Sequence, residues 1–185
     1  MSRIIRKKLG SGYFHIIVQG NNKDYVFYEG WLKKKYIEYL KNYSQKMNIK
    51  LLSYCIMDSH AHVLVYTNKN EDLSRMMCQV NTKYAILFNK KNNRCGHVYR
   101  DRFKSEKIIN LRHLENCIRY IHRNPVNANM CKKESDYRYS SYNDYLNHKI
   151  SDEIIQLAYG NDPNYMTKVK SKVMDEDFSL FIDAE

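Results

Sequence analysis

Two histidines, His60 and His62, stand one residue apart in MDSHAHVLVYT, and Tyr120 and Asn124 stand four apart in CIRYIHRNPV. Each spacing suits a particular chemistry. In an extended strand residues i and i+2 project to the same side, so the two imidazoles can hold one divalent cation from a single direction. On a helix residues i and i+4 are surface neighbours, so the phenol of Tyr120 and the amide of Asn124 meet. A phenol oxygen as nucleophile, with an amide oxygen completing a metal shell, makes a phosphoryl-transfer site. Phenol is a poor nucleophile near neutrality because its pKa is ~10, so this chemistry calls for metal activation of the scissile phosphate.

Other side chains compete for these roles. A bare H-x-H pair also suits two polar residues on an exposed sheet face. Tyr84 is the rival nucleophile, but it falls on an apolar helical stripe and its i+4 neighbour is Phe88. His15, on the first strand, could lie beside the pair, although a packing histidine is the simpler expectation. Cys95 and His97 lack the second pair of ligands that a zinc site needs.

The elements that must position these residues follow from periodicity. GYFHIIVQG (12–20) has the β-branched and aromatic content of a strand, and residues 30–47 repeat Leu32, Tyr36, Leu40 and Tyr43 at helical spacing. Residues 49–57 and 60–67 read as a hairpin closed at Asp58-Ser59, and 71–91 as a second helix. Residues 97–110 are expected to be extended. A third helix over 111–124 should stop at Pro125, with Leu111, Leu114, Ile118 and Ile121 as its apolar stripe and Tyr120 facing away. Short helices are expected over 137–147 and 152–159. This order predicts an α+β, ferredoxin-like split βαβ sandwich with an antiparallel sheet over 1–147, and a helical, acidic C-terminal extension over 148–185. Ala61, Val63 and Val65 should face the helices, leaving the histidines on an open sheet face.

Charge points to the partner. The chain of 185 residues carries a net +11, but residues 151–185 hold three lysines against eight carboxylates, so the first 150 residues carry +16. That excess favours a polyanion. Arg100, Arg102, Lys104 and Lys107 interleave with Phe103, and Arg3, Arg6, Lys7 and Lys8 crowd the beginning of the chain. These cations are expected to follow a nucleic-acid backbone, with exposed aromatic rings available for stacking. The acidic residues 175–185 are expected to lie across this basic face and weaken DNA binding. Five cysteines with no C-x-x-C imply reduced thiols and a cytoplasmic protein. No secretory leader is apparent, and no run approaches the ~18 apolar residues of a membrane span.

MDSHAHVLV, RCGHVYRDRFKSEKI, LENCIRYIHRNPV and YRYSSYNDYL together resemble the single-tyrosine HUH transposases, and more closely the REP-associated tyrosine transposases, over residues 12–147. The resemblance implies a ferredoxin-like core that cuts single-stranded DNA near hairpins through a 5′-phosphotyrosine intermediate. It implies Tyr120 as nucleophile, His60, His62 and Asn124 as ligands of Mg2+ or Mn2+, and a monomer or homodimer. Ala61 stands where the motif has a hydrophobic residue. Transesterification needs no nucleotide cofactor, in keeping with the absence of a G-x-x-x-x-G-K-[ST] loop. The alternative is a non-catalytic protein, a retired transposase or an RNA-binding sheet, that holds structured nucleic acid without cutting it. A small zinc hydrolase would need another histidine or carboxylate on the histidine face.

Overall fold

A computed structural model describes residues 10–147. Arg3, Arg6, Lys7, Lys8, the expected helix over 152–159 and the acidic segment 175–185 lie outside the described residues. The element order is β1 (Gly12–Gln19), α1 (Gly30–Lys46), β2 (Lys50–Ile56), β3 (His60–Thr67), α2 (Asn70–Lys91), β4 (Lys104–Lys107), α3 (Leu111–Asn127) and α4 (Tyr142–Leu146). The strands form one sheet in the order β2-β3-β1-β4, with every neighbouring pair antiparallel. This is the expected ferredoxin-like α+β arrangement. No helix among the described residues is long and apolar enough to cross a membrane.

Strand alternation sorts the sheet into two faces. Phe14, Ile16 and Val18 of β1 and Ala61, Val63 and Val65 of β3 face α1 and α2, where they join Leu32, Tyr36, Leu40, Leu73, Met77, Val80 and Tyr84 in the larger core. The opposite face is not open. Leu64 of β3 and Leu52 and Cys55 of β2 form a second core with Leu114, Cys117, Ile118 and Ile121 of α3. The third helix therefore covers the face that carries His60 and His62, contrary to expectation, because its own apolar stripe has to be buried and the first core is already filled.

Three further details depart from the sequence reading. Only Lys104–Lys107 of the expected extended segment 97–110 is a strand, although Tyr99 forms an isolated bridge with Gly20. Leu111 is 54% exposed, and Cys117 instead joins Leu114, Ile118 and Ile121 on the buried stripe. Helix α3 continues through Pro125 to Asn127. A proline in the last turn forfeits one helical hydrogen bond, and here the ring is buried while Ala128 N–H still donates to the Asn124 carbonyl. At its other end α3 is capped by Asn110, whose side-chain oxygen accepts from His113 N–H at 2.8 Å. Asn110→Ala should cost about 1 kcal/mol, read as a lower denaturant midpoint.

YRYSSYNDYL also finds a physical role. Ile56 N–H donates to the Tyr139 carbonyl and Ser141 N–H to the Tyr54 carbonyl, while Ser141 Oγ accepts from Tyr54 N–H. The hydroxyls of Tyr137 and Tyr145 donate to the carbonyls of Ile56 and Leu52. The segment thereby seals the outer edge of β2, which would otherwise present unpaired backbone groups. At the opposite edge, β4 is short and charged.

Candidate active site

His60 and His62 open β3 directly after the tight connection at Asp58-Ser59, where Met57 N–H donates to the His60 carbonyl at 2.8 Å. Phe27 N–H donates to the Asp58 carbonyl, and Lys33, itself buried, pairs with the Asp58 carboxylate at 2.5 Å. The hairpin end is thus held by both backbone and side-chain contacts. The two imidazole rings lie 5.0 Å apart between centroids, at nearly a right angle. His62 is buried and His60 partly exposed.

Helix α3 supplies the phenol. The Tyr120 ring stands edge-on to His62, with centroids 5.4 Å apart, and is itself half-buried. Asn124 Nδ2 donates to the backbone carbonyl of Tyr120 at 2.8 Å, which holds the carboxamide against the same turn of the helix. The structure thus brings the Tyr120 ring beside the strand pair although some sixty residues separate them in sequence, and Asn124 lies one helical turn beyond Tyr120 on α3. Burial raises the Tyr120 pKa, and the adjacent Asn124 carboxamide opposes that shift.

His15 joins this group. It stands on β1 beside β3, and its Nε2 lies 3.1 Å from His62 Nδ1, with the two rings stacked at 5.2 Å. The Tyr120 ring also meets it edge-on, at 6.0 Å. His15 therefore lies beside the pair, buried and hydrogen-bonded to His62. Its signal in the sequence was only strand parity, since His15 and His62 can share a face once β1 and β3 are known to be adjacent. On the other imidazole, Ser59 Oγ lies 3.0 Å from His60 Nδ1.

Burial lowers the pKa of His60 and, more strongly, of His62, where the neighbouring imidazoles act in the same direction; the Asp58 carboxylate opposes the shift on His60. Both rings are consequently held neutral, the form that binds a metal. This donor set of two neutral imidazoles and an amide oxygen fits a divalent cation. No cluster of three His, Cys or carboxylate side chains suited to a metal occurs among the described residues. Cys95 and His97 are both exposed.

Tyr84 is placed elsewhere. It is fully buried in the first core, and its hydroxyl donates to the Val26 carbonyl at 2.7 Å. Tyr84→Phe should lower stability by about 1–3 kcal/mol, the cost of a buried carbonyl left unpaired, and leave any tyrosine-dependent reaction unchanged. Denaturant unfolding run alongside an activity assay checks both halves.

The basic residues divide between the faces. Lys104 pairs in register with Ile17, which also pairs with His62, so it stands on the histidine face two strands from that imidazole, across β1. Arg100 and Arg102 are exposed on the bends before β4, and Arg100 N–H donates to the carbonyl of Gln19, the register partner of His60. Lys107 pairs with Phe14 and so belongs to the other face, where its stem lies within 2.9 Å of the point a Cβ on Gly12 would occupy. Phe103 is buried in the first core and offers no stacking surface, whereas Tyr25 and Tyr28 are exposed.

Residues 8–124 match the family model for IS200-like transposases. The chain belongs to that family. Family membership makes it one of a group of DNA strand-transferring enzymes. A putative REP-associated tyrosine transposase of Haemophilus influenzae is 24% identical over 172 residues, spanning 87% of this chain and 93% of the relative. Among solved structures, a REP-associated tyrosine transposase bound to a REP hairpin superposes with a TM-score of 0.66 at 16% identity, covering 88% of this chain and 93% of the other. At that identity the likeness establishes the shared fold.

Proposed function

We propose that this transposase-family chain is a metal-dependent HUH-type DNA strand transferase that cuts single-stranded DNA next to hairpin repeats. The observation that carries the reading is the edge-on approach of the Tyr120 ring to His62, which unites the nucleophile and the metal-ligand pair on one covered sheet face. The choice of substrate rests on the structural relative, which is bound to a REP hairpin.

In the proposed reaction Tyr120 Oη attacks a backbone phosphorus. The Tyr–O–P bond forms, the bond from phosphorus to the 3′ oxygen breaks, and the proton lost by the phenol is balanced by the proton gained by the departing 3′ hydroxyl. The products are a 5′-phosphotyrosine and a free 3′ end, and the reverse attack rejoins the strand. A bound Mg2+ or Mn2+ supplies charge neutralisation at the phosphate. His60, His62 and Asn124 would hold it. Lys104, Arg100 and Arg102 lie where they can accompany the strand past the site, and the electrostatic part of that binding should weaken steeply with salt.

Incubation of the full chain with hairpin-flanked single-stranded DNA and Mn2+ should give a covalent DNA adduct that survives denaturation and maps to the Tyr120 peptide. Hairpin binding without any adduct, at equal affinity in the His60→Ala/His62→Ala double variant, would instead identify a non-catalytic binder.

A further inference from the structure

Beside the nucleophile and the proposed metal donors lies a further buried polar side chain, His15. It lies on β1, with Nε2 at 3.1 Å from His62 Nδ1 and the two rings nearly parallel. The contact is long-range in sequence and short-range in the sheet. Ile17 of β1 is the register partner of His62, and His15 follows two residues along on the same face. Burial on that face, under α3, leaves His62 Nδ1 with this one hydrogen-bond partner among the described contacts.

A neutral imidazole carries its proton on only one ring nitrogen, and the partner of one nitrogen determines which of the two is free to bind a metal. If the proton sits on His62 Nδ1 and is donated to His15 Nε2, the lone pair of His62 is on Nε2. If the direction is reversed, His62 Nε2 carries hydrogen and cannot ligate. His60 has the same arrangement by other means, since its Nδ1 is engaged by Ser59 Oγ at 3.0 Å. Both strand imidazoles therefore have Nδ1 tied to a neighbour, and among the described residues neither Nε2 has a hydrogen-bond partner. Their near-perpendicular rings, 5.0 Å apart, offer two such nitrogens from one strand.

We infer that His15 is a positioning residue: it accepts a hydrogen bond from His62 Nδ1 and thereby fixes both the ring orientation and the tautomer that presents His62 Nε2 to the divalent cation. The inference rests on the metal-dependent reading above and adds to it a residue outside the ligand set. His15 touches neither the cation nor the DNA in this role. The Tyr120 ring packed edge-on against His15 at 6.0 Å closes the other side of the pair, so the imidazole stack also sets the position of the phenol.

The test uses the full chain in three forms: wild type, His15→Phe, which keeps the ring volume without an acceptor, and His15→Gln, whose amide oxygen reaches the position of Nε2. Mn2+ affinity, read from the free-ion electron paramagnetic resonance signal, should weaken about 10–100-fold in His15→Phe, as for other lost partners of metal-binding histidines, and recover most of that loss in His15→Gln. Nitrogen-15 shifts of His62 in the metal-free protein at pH 7.5 should show the Nδ1–H tautomer in wild type and in His15→Gln, and a mixture in His15→Phe. Denaturant midpoints of all three forms separate these effects from lost stability. Wild-type Mn2+ affinity in His15→Phe, or an Nε2–H tautomer of His62 in wild type, would overturn the inference while leaving the proposed reaction standing. A count of coordinated imidazoles that falls from three to two in His15→Phe would also overturn it, by making His15 a ligand itself. No Mn2+ binding by wild type would remove the metal reading and this role together.

Discussion

Tyr120→Phe should abolish the covalent DNA adduct and leave the fold intact. The substitution removes one oxygen and retains the ring that packs edge-on against His62 and His15. The ring is half-buried on the flank of the second core, and that packing does not depend on the hydroxyl. What disappears is the attacking atom. Loss of a nucleophile that no neighbour can replace should reduce adduct formation by at least about 10³-fold. Tyr13 and Tyr66, paired on the same sheet face at 5.0 Å, lie towards the other end of β1 and β3 from His60 and His62. Denaturing gels with labelled DNA read the adduct, and hairpin affinity measured in parallel should be unchanged. An adduct that persists in Tyr120→Phe would end the assignment of this residue, and loss of both binding and fold would mean that the hydroxyl is structural.

The second large effect is expected in acid. His122 is fully buried on α3, with Nε2 at 3.1 Å from Ser53 Oγ and 2.8 Å from Ser141 Oγ, and with the rings of Tyr142 and Tyr145 edge-on to it. It joins three elements: α3, the bulged start of β2, and the segment that seals the β2 edge. Burial pushes its pKa down to about 3. The folded value lies below that of the unfolded chain, so the unfolded state binds the proton first. The stabilisation is complete above about pH 6.5 and is lost progressively as pH falls toward 3. His122 alone should account for a loss on the order of 2 kcal/mol between pH 6.5 and 5, at about 1.4 kcal/mol per unit. Burial also lowers His15, to about 4, so it contributes with the same sign. The comparison is therefore between wild type and His122→Gln in metal-free buffer. The variant should start lower at pH 7.5 and show a shallower decline on acidification, as read from urea midpoints. Equal slopes would show that His122 is not the acid-sensitive joint.

Local pattern carried much of this architecture. The alternation in HAHVLVYT identified β3 and put His60 and His62 on one side of it, because the side-chain period of a strand is two and needs no tertiary information. The repeats in α1 and α2 likewise located the first core, since a 3.6-residue period is visible in any single helix. The i, i+4 relation of Tyr120 and Asn124 was local as well, and the structure retains it in the bond from Asn124 Nδ2 to the Tyr120 carbonyl. Family motifs in the same stretches agree with the family match over residues 8–124.

Other features depended on which elements meet. The histidine face is covered because α3 folds back onto β2 and β3, and nothing in the helix's own pattern says which of two sheet faces it will choose. His15 entered the site through the β1–β3 register, a pairing between segments 47 residues apart. The bulge between Leu51 and Ser53 reorients β2 so that Leu52 enters the second core while Ser53 meets His122, and a one-residue irregularity leaves no periodic trace. YRYSSYNDYL seals a strand edge by bonding the β2 backbone with its own backbone and with the hydroxyls of Tyr137, Ser141 and Tyr145, a pairing that no periodicity within the segment announces. Periodicity reports the geometry of one element at a time. Register, face choice and edge closure are properties of pairs of elements, and they arise only when apolar surfaces and unpaired backbone groups compete for the same partners in the folded chain.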